Sequence, residues 1–209
     1  MSIEAQHTRL DAGLAGLGQA LDERCRIRLL DYLALLARWN RAYNLTAVDE
    51  PLAMVDRHLV DSLSILPWIA GHEIVDAGTG AGLPGVPLAI ACPDRHFTLI
   101  DSNGKKVRFL RQVRRELGLA NIEPVHSRLE DYRPERQPDQ VVARALAPLP
   151  RLVEQLGHLL EEGATLLAMK GRLEEDERAA VADAYNTEMI ELNVPGADSP
   201  RSLAILRKR

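Results

Sequence analysis

Residues 74–85 read IVDAGTGAGLPG, and this glycine-rich stretch decides which folds the chain can adopt. Four glycines, Gly78, Gly80, Gly82 and Gly85, follow a short apolar run and precede a segment of helical character. The last three satisfy G-x-G-x-x-G, the dinucleotide fingerprint, which is a weak signal when it stands alone. Glycine lets a ligand approach the backbone closely because it has no Cβ and tolerates positive φ. The stretch therefore predicts a strand, a ligand-binding turn and a helix, and the rest of the chain must identify the ligand.

The composition is that of an ordinary globular protein. The chain has 209 residues, of which 46% are hydrophobic and 27% charged, enough for one large domain or one domain with an extension. Its net charge of -4 does not indicate a nucleic-acid partner, which must therefore be argued from local charge. Cys25 and Cys92 lie far apart, which argues against a zinc site and favours a reducing compartment. Without a visible signal peptide or membrane-spanning run, we expect a cytoplasmic protein with no membrane contact.

The first 70 residues have helical character. Leucines recur at three- and four-residue steps within residues 8–40, and a second helix is expected to begin after Asp22 as its N-cap. The sequence WNRAYNLTAV at 39–48 breaks this periodicity and predicts a loop. Residues 49–51, Asp-Glu-Pro, predict a new helix, because acidic groups favour its amino end and proline suits its first turn. We interpret residues 1–70 as a helical extension.

From about residue 71 onward, strands and helices alternate. Seven segments have strand character: 72–77, 96–101, 121–127, 139–145, 164–171, 188–194 and 201–208. Helical segments are expected near 84–92, 104–118, 129–132 and 148–162. The last two strands are joined by 195–200, too short for a helix, and should form an antiparallel hairpin. Residues 71–209 are thus predicted to be an α/β domain with a doubly wound, mostly parallel sheet.

This layout leaves no room for the second half of a dinucleotide-binding fold. It resembles instead the class I S-adenosylmethionine-dependent methyltransferases, whose seven-stranded, Rossmann-like sheet ends with an antiparallel last strand. Their first motif places an acidic residue at the end of the first strand before G-x-G-x-G, and residues 76–82, DAGTGAG, match it. The resemblance implies S-adenosylmethionine as the cofactor, with Asp76, Gly78, Gly80 and Gly82 in its binding turn.

Asp101 is a second candidate cofactor residue. It falls at the expected end of the second strand, in HFTLID at 96–101. A carboxylate there can accept hydrogen bonds from both ribose hydroxyls, a role that dinucleotide-binding folds share. The residue therefore supports an adenosine ligand without choosing between cofactors. Its alternative role is to cap the following helix.

The helix expected after Asp101 is strongly basic. Between Ser102 and Arg115 it carries six positive charges and no acidic residue, the cations being Lys105, Lys106, Arg108, Arg111, Arg114 and Arg115. Apolar residues at helical spacing predict an amphipathic helix with a basic outer face. A charged outer face can be merely solvated, but unopposed charges on an acidic protein favour phosphate binding. We expect Lys105, Lys106, Arg108 and Arg111 to bind phosphate groups, such as those of a nucleic acid.

The segment after the fourth strand bears on the methyl acceptor. Methyltransferases of exocyclic amines often carry an Asn/Asp-Pro-Pro-aromatic motif there, and VVARALAPLP at 141–150 lacks it. A ring nitrogen such as guanine N7 already has a free lone pair, so its methylation requires mainly proximity and alignment. No constellation of cysteine, histidine or paired acids suggests a general base.

Several longer motifs together resemble one family. They are WNRAYNLTAV (39–48), RHLVDSL (57–63), VDAGTGAGLPGVPLAI (75–90), FTLIDSNGKKVRFLRQV (97–113), VVARALAPL (141–149) and MKG (169–171). On these residues, nearly the whole chain is similar to the RsmG or GidB family of bacterial small-subunit ribosomal RNA guanine-N7 methyltransferases. The resemblance implies a cytoplasmic enzyme that methylates N7 of one guanine in the decoding-region loop of 16S ribosomal RNA. No metal is implied.

Positions carried over from that family complete the expected site. The resemblance implies that Gly78 and Leu83 lie in the cofactor turn and that Asp101 binds the ribose. It places Leu129 and Glu130 at the adenine. Arg144, at the end of the fourth strand, is expected to face both the cofactor and the target base as the catalytic residue, unless it is a surface ion-pairing arginine.

The remaining candidates are less specific. Lys170 and Arg201 are expected to contact RNA phosphates at strand ends. Asn40 and Asn44 could orient the base or the cofactor, or simply fix their loop, and His58 suits helix packing better than catalysis. Arg57 and Asp61 could pair at i, i+4 on a helix.

Two other classes of function stay open at this stage. The chain could be a methyltransferase of a non-RNA acceptor, or a non-catalytic, cofactor-binding regulatory module. The substrate could be naked 16S ribosomal RNA or a partly assembled small ribosomal subunit. Because no partner surface is evident, we expect a monomer.

Overall fold

Seven strands form a single sheet in the computed structural model, which describes residues 3–161, 163–172 and 175–209. The strands are β1 (Glu73–Ala77), β2 (His96–Asp101), β3 (Ile122–His126), β4 (Gln140–Arg144), β5 (Thr165–Lys170), β6 (Tyr185–Leu192) and β7 (Arg201–Lys208). Their spatial order is β3-β2-β1-β4-β5-β7-β6. The first five are mutually parallel, and β7 is antiparallel to both β5 and β6. This confirms the expected class I methyltransferase topology, including the terminal hairpin.

One edge of the sheet gathers the residues of interest. The carboxyl ends of β1, β2, β4 and β5 meet at this edge, which we call the carboxyl edge. The amino end of β7 also reaches it, because Ser202 pairs with Lys170. The direction in which strands are added reverses between β1 and β4, and open α/β sheets bind ligands at such a switch point.

Helices precede the sheet and cover both of its faces. They are α1 (Ile3–Gly16), α2 (Glu23–Tyr43), α3 (Pro51–Met54), α4 (Asp61–Leu63), α5 (Gly85–Ala91), α6 (Gly104–Glu116), α7 (Leu149–Leu156) and α8 (Glu175–Ala179). Short 3-10 turns occupy Leu66–Trp68 and Gly157–Leu159. In the described part of the chain, no helix combines the length and the apolar character needed to cross a bilayer.

Helix α2 is longer than its apolar periodicity predicts. Asp22 caps it as expected, accepting the N–H of Cys25 at 2.6 Å. The loop predicted from residue 39 is wrong at its start, because the helix continues to Tyr43. Trp39 stacks on Tyr43 one turn later at 5.2 Å between ring centroids and packs against Phe109 of α6 at 5.6 Å. These aromatic contacts stabilise a last turn that lacks a leucine repeat.

The next helical segment begins as predicted and then changes its geometry. Glu50 caps it by accepting the N–H of Ala53, and Pro51 occupies the first turn. Residues Val55–Val60 form a π-helical turn between α3 and α4. The N–H of Asp61 accordingly bonds to Asp56 O, five residues back. Such turns are rare and occur frequently at functional sites.

Two segments near the sheet differ from the sequence expectations. The short helix predicted at 129–132 is a single turn, in which Tyr132 N bonds to Arg128 O at 3.2 Å. Strand β6 begins at Tyr185 rather than at residue 188, because Tyr185 is buried and pairs with Lys208 at the end of the hairpin.

The strands bury one hydrophobic core on each side. Successive residues point to opposite faces, so Val142 and Leu167 join one core while Val141 and Leu166 join the other. The first core includes residues of α1, α2, α5 and α6, and the second includes the apolar side of α7. The amino-terminal helices therefore share their core with the sheet.

Candidate active site

Asp76, near the end of β1, binds two residues of the glycine-rich turn through its buried carboxylate. Its carboxylate Oδ2 accepts hydrogen bonds from Thr79 Oγ1 at 2.6 Å and from the N–H of Gly85 at 2.7 Å. The side chain is fully buried, and burial raises its pKa to about 6 although both bonds act in the opposite direction. Asp76 thus lies beneath the turn and fixes both of its ends.

Removing this carboxylate is expected to destabilise the protein. Asp76→Ala should lower the free energy of unfolding by about 2–4 kcal/mol, because it leaves two buried donors without a partner. Urea denaturation followed by circular dichroism measures the change. Asp94→Ala, at an exposed position, is the control and should change stability by less than about 0.5 kcal/mol. A loss below about 1 kcal/mol for Asp76→Ala would contradict this role.

The turn has the backbone that its glycines permit, and it leaves room for a ligand. Gly78, Gly80 and Gly82 have φ of 66°, 62° and 99°. A Cβ at Gly80 would meet no atom closer than 3.9 Å, so this residue faces open space. A Cβ at Gly82 would instead lie 2.6 Å from Val86 and 2.8 Å from Leu110, which puts this glycine on the core side. Gly80 therefore marks the part of the turn that a ligand can approach.

Asp101 joins this turn to the end of β2. Its Oδ2 accepts the N–H of Gly80 at 2.9 Å, and its Oδ1 accepts the N–H of Asn103 at 2.8 Å. Lys106 Nζ lies 3.6 Å from Oδ2. A carboxylate accepts about four hydrogen bonds, so Asp101 keeps capacity for two hydroxyl groups. This arrangement fits the ribose of an adenosine ligand.

A helix outside the sheet supports the same turn. The hydroxyl group of Tyr32 on α2 donates to the carbonyl oxygen of Ala81 at 2.8 Å, and the tyrosine is completely buried. Burial raises the pKa of Tyr32 far above its usual value, so the phenol stays protonated and keeps donating.

A cavity of about 800 Å³ opens in front of the turn at the carboxyl edge. Its walls are drawn from the ranges 45–61, 78–83, 144–148, 169–171 and 192–202. Helical residues before the sheet, the glycine turn, and the ends of β4, β5 and β7 thus enclose one space. Over the described residues, no group of three or more His, Cys, Asp or Glu side chains could hold a metal ion.

Arg144 ends β4 inside this cavity and is held from two sides. Its Nη1 donates to Asp61 Oδ2 at 2.9 Å and to the carbonyl oxygen of Arg57 at 2.9 Å. Asp61 also accepts Arg201 Nε on its other oxygen at 2.8 Å. The next residue, Ala145, has φ of 50°, a strained conformation for a non-glycine residue. Strain of this kind clusters at functional sites and here turns the chain sharply after Arg144.

The structure shows the contacts of the three residues whose roles stay open in the sequence. Asn40 Oδ1 accepts the N–H of Thr46 at 2.9 Å, and Asn44 ends α2 with φ of 50°. His58 Nε2 lies 3.0 Å from Thr46 Oγ1, which also accepts the N–H of Val48. All these contacts fix the loop that forms one wall of the cavity.

His58 is held in its neutral form. Burial, reinforced by the charge of Arg144, lowers its pKa to about 4. Because this folded-state value lies below the usual 6.5, the group reduces stability as the pH falls from about 6.5 towards 4. At neutral pH His58 carries no charge into the site.

Six of the expected site residues line the cavity: Gly78, Gly80, Leu83, Arg144, Lys170 and Arg201. Lys170 is already engaged, since its Nζ contacts Glu177 at 2.8 Å and the carbonyl oxygen of Ala147 at 2.9 Å. Its side chain is only 13% exposed, which leaves it little freedom to bind a phosphate.

The other expected cofactor residues lie outside the cavity lining. Asp76 and Gly82 are beneath the turn. Leu129 is buried in the second core, and Glu130 is exposed on the turn that follows β3. Asp101 ends β2, and Leu129 and Glu130 come after the end of the neighbouring strand β3. All three residues therefore lie beside the cavity rather than in its walls.

The basic face of α6 is largely free of ion pairs. Lys105, Arg108 and Arg111 are exposed and form no salt bridge with any described residue. Lys106 is the exception, since it lies beside Asp101. Arg111 also lines a shallow hollow of about 350 Å³ at the end of the helix, together with Arg114 and Arg115. The positive face therefore extends over the whole length of α6.

Asp61 is the site residue that the sequence reasoning missed. The pairing of Arg57 with Asp61 suggested by their spacing is absent, because the π-helical turn changes the register of this helix. Arg57 instead pairs with Asp198, and Asp61 pairs with Arg144 and Arg201. The only sequence signal was its place in RHLVDSL, one of the motifs of the family resemblance.

Comparison with known proteins identifies the family. The model of the GidB family, described as rRNA small subunit methyltransferase G, matches residues 26–204. The chain belongs to this family. It is 48% identical over 209 residues to the ribosomal RNA small subunit methyltransferase G of Marinobacter nauticus, covering all of this chain and 98% of that protein. It is 50% identical over 212 residues to that of Pseudomonas aeruginosa LESB58, covering all of this chain and 99% of that protein.

Solved structures agree on the fold. A magnesium protoporphyrin IX methyltransferase from Synechocystis PCC 6803, solved with bound S-adenosylmethionine, matches with a TM-score of 0.60. It is 19% identical and covers 90% of this chain, with 99% of that chain covered. As a member of the GidB family, the protein is a methyltransferase of small-subunit ribosomal RNA, and its cofactor is S-adenosylmethionine.

Proposed function

We propose that the protein transfers a methyl group from S-adenosylmethionine to N7 of a guanine in the decoding-region loop of 16S ribosomal RNA. Family membership supports the ribosomal RNA substrate, and the chemistry of the cavity supports the acceptor atom. We choose N7 as the acceptor atom because the acidic and histidine side chains in the cavity walls are already bonded to other groups of the protein.

None of the acidic or histidine side chains described in these walls is free to act as a base. Asp61 binds two arginines, Asp198 binds Arg57, and His58 is buried, neutral and bonded to Thr46. An exocyclic amine gives up a proton when it is methylated and favours a site with an available base. Guanine N7 attacks with a free lone pair and has no proton to lose. The cavity therefore favours a ring nitrogen.

The protein's part in such a reaction is to position the reactants. The cofactor supplies an electrophilic methyl group, which the turn at Gly78–Gly80 would hold at one wall of the cavity. Arg144 would donate to O6 of the guanine, or to the cofactor carboxylate, and leave N7 unobstructed. Its single bond to Asp61 and its bond to the backbone at Arg57 keep the guanidinium in place. Alignment of this kind accounts for a large part of many enzymatic rate enhancements.

We also propose the positions of the remaining cofactor groups. Asp101 would accept both ribose hydroxyls, and Leu129 and Glu130 would lie against the adenine ring at the next strand end. The acceptor capacity left on Asp101, and the adjacency of β2 and β3, support these assignments.

The ribose assignment predicts a binding defect. Asp101→Ala should weaken S-adenosylmethionine binding by about 1–3 kcal/mol, because two hydroxyls lose their acceptor and the Gly80 N–H loses its own. Isothermal titration calorimetry measures the dissociation constant directly. Glu123→Ala, which changes an exposed residue of neighbouring β3, is the control. An unchanged dissociation constant for Asp101→Ala would remove Asp101 from the site.

The basic face of α6 is proposed to bind the phosphates of the RNA. It carries exposed, unpaired cations at Lys105, Arg108 and Arg111, and it starts beside Asp101 at the carboxyl edge. An RNA strand bound along α6 would therefore lead towards the cavity. Arg201 also has free donor capacity in the cavity, whereas Lys170 is held by Glu177.

We propose that residues 1–70 form a helical extension that completes the site of the methyltransferase domain at 71–209. The loop and helices at 45–61 supply one wall of the cavity, and Tyr32 supports the cofactor turn. Since its substrate RNA is made and assembled in the bacterial cytoplasm, we infer a cytoplasmic location.

Mapping the methyl group tests the proposal. Purified protein is incubated with methyl-labelled S-adenosylmethionine and small-subunit particles that lack the modification, and the RNA is cleaved at N7-methylguanine with borohydride and aniline. We expect one cleavage, in the decoding-region loop. Label in the RNA without this cleavage would refute N7, and label only in protein or small molecules would refute the RNA acceptor. Naked RNA run in parallel shows which substrate form the enzyme uses.

A further inference from the structure

One carboxylate, that of Asp61, connects two arginines that belong to different strands. Its Oδ2 accepts from Arg144 at the end of β4, and its Oδ1 accepts from Arg201 at the start of β7. The side chain of Asp61 is 10% exposed, and those of Arg144 and Arg201 are 18% and 24% exposed. All three residues line the cavity. Three elements distant in sequence therefore converge on one carboxyl group.

The two guanidinium groups need this carboxylate in order to lie side by side. Two partly buried cations repel each other, and a shared anion between them removes most of that repulsion. Each arginine still has donors to offer. Among the described residues, Arg144 uses only Nη1, and Arg201 uses Nε and Nη1. Asp61 thus fixes one side of each guanidinium and leaves the other side available to a ligand.

The π-helical turn explains why an aspartate stands at this point. The extra residue in the turn Val55–Val60 shifts the following side chains relative to a regular α-helix. As a result Arg57, His58 and Asp61 all line the cavity, although an i, i+4 pair in an α-helix would allow Arg57 and Asp61 to bond to each other. The rare backbone frees Asp61 from its helical neighbour and presents it to Arg144 and Arg201.

We propose that Asp61 is a positioning residue that holds Arg144 and Arg201 as a pair, with Arg144 directed to the methyl-transfer centre and Arg201 to the phosphate of the target nucleotide. The proposal rests on the proposed function for the identity of these ligands. It makes the orientation of both arginines depend on a single carboxylate that itself touches no substrate.

The test combines kinetics with a measurement that needs no substrate. Asp61→Asn is nearly isosteric but removes the charge, and it should lower the single-turnover rate of methyl transfer by about 10- to 100-fold, since small misplacements of a catalytic group have effects of this size. The dissociation constant of S-adenosylmethionine should change less than the transfer rate, because Asp61 itself is not one of its ligands and Arg144 is only one of the groups expected to hold the cofactor. Asp61→Glu, which restores the charge, should recover part of the rate.

A double-mutant cycle separates positioning from general destabilisation. In the Arg144→Ala background, Asp61→Asn should cost less rate than it does in the wild type, because one of the two groups it positions is already gone. The matched control is Asp56→Asn, which breaks the Arg9–Asp56 ion pair in the same helical segment without changing the cavity lining. This control should keep the wild-type transfer rate. Full additivity of Asp61→Asn and Arg144→Ala would overturn the proposal.

Nitrogen-15 NMR spectroscopy of the arginine side chains measures directly how far rotation of each guanidinium group is restrained. Rotation of the Arg144 and Arg201 guanidinium groups should be restrained in the wild type, released in Asp61→Asn, and unchanged in Asp56→Asn. If both groups stay restrained in Asp61→Asn, the proposal fails even when activity falls. If the wild type methylates no RNA, the proposed function fails, and the spectra alone still decide whether Asp61 positions the two arginines.

Discussion

Arg144→Ala is expected to slow methyl transfer to small-subunit ribosomal RNA by about 100-fold or more in a single turnover. The guanidinium is fixed in the cavity by Asp61 and by the backbone of Arg57 at 2.9 Å each. Its loss should leave the fold intact, because Asp61 keeps Arg201 as a partner. Rapid quenching with excess enzyme, followed by scintillation counting of the RNA, measures the transfer step without product release.

Two variants make this result interpretable. Arg144→Lys keeps the charge but loses the planar fork of donors, so it should recover only a small part of the rate. Arg207→Ala removes a cation from β7 at the opposite edge of the sheet and should be indistinguishable from wild type. If Arg144→Ala transfers methyl groups within about threefold of the wild-type rate, Arg144 is not the catalytic residue.

Neutralising the basic face of α6 is expected to weaken the binding of RNA without changing the binding of the cofactor. The triple variant Lys105→Gln, Arg108→Gln and Arg111→Gln should raise the dissociation constant of the RNA substrate by about 10- to 100-fold at physiological salt, because counterion release is lost at each phosphate contact. The slope of log affinity against log salt should fall by about 2 for three lost contacts. Filter binding over a salt series measures both quantities.

A second triple variant supplies the matched control. Arg24→Gln, Arg136→Gln and Arg207→Gln remove the same charge from exposed positions that lie neither on α6 nor in the cavity walls. This control should leave the salt slope nearly unchanged. Equal losses in the two variants would mean that net charge, rather than a defined surface, attracts the RNA. Unchanged binding in the α6 variant would place the RNA elsewhere.

Local signals in the sequence were sufficient to predict the sheet and the glycine-rich turn. Glycines at positions of positive φ, an acidic residue at the end of β1, and the alternation of strands with helices all act over short distances. The position of Asp101 followed from the same spacing. These features could be predicted because each is determined by neighbouring residues.

The contacts that complete the cavity are long-range and could not be predicted in this way. Asp61 binds Arg144 and Arg201 from 83 and 140 residues away in sequence. The π-helical turn that presents it depends on packing rather than on residue propensity. Helix α2 extends to Tyr43 for a similar reason, because Trp39 packs against Phe109 in a helix much later in the chain. Periodicity within one segment contains no information about such partners.

The bond between Tyr32 and Ala81 couples the local unfolding of α2 to the binding of a ligand at the glycine-rich turn. It joins α2 to the glycine-rich turn across 49 positions of sequence, through a fully buried donor. Any opening of the protein that breaks this bond also disturbs the turn, so a ligand that binds only the ordered turn opposes the opening. At a concentration of about 100 times its dissociation constant, such a ligand adds about 2.7 kcal/mol to that opening free energy. The amide protons of α2 should therefore exchange with solvent more slowly when the cofactor is bound, and α2 would report the occupancy of a turn that lies outside it.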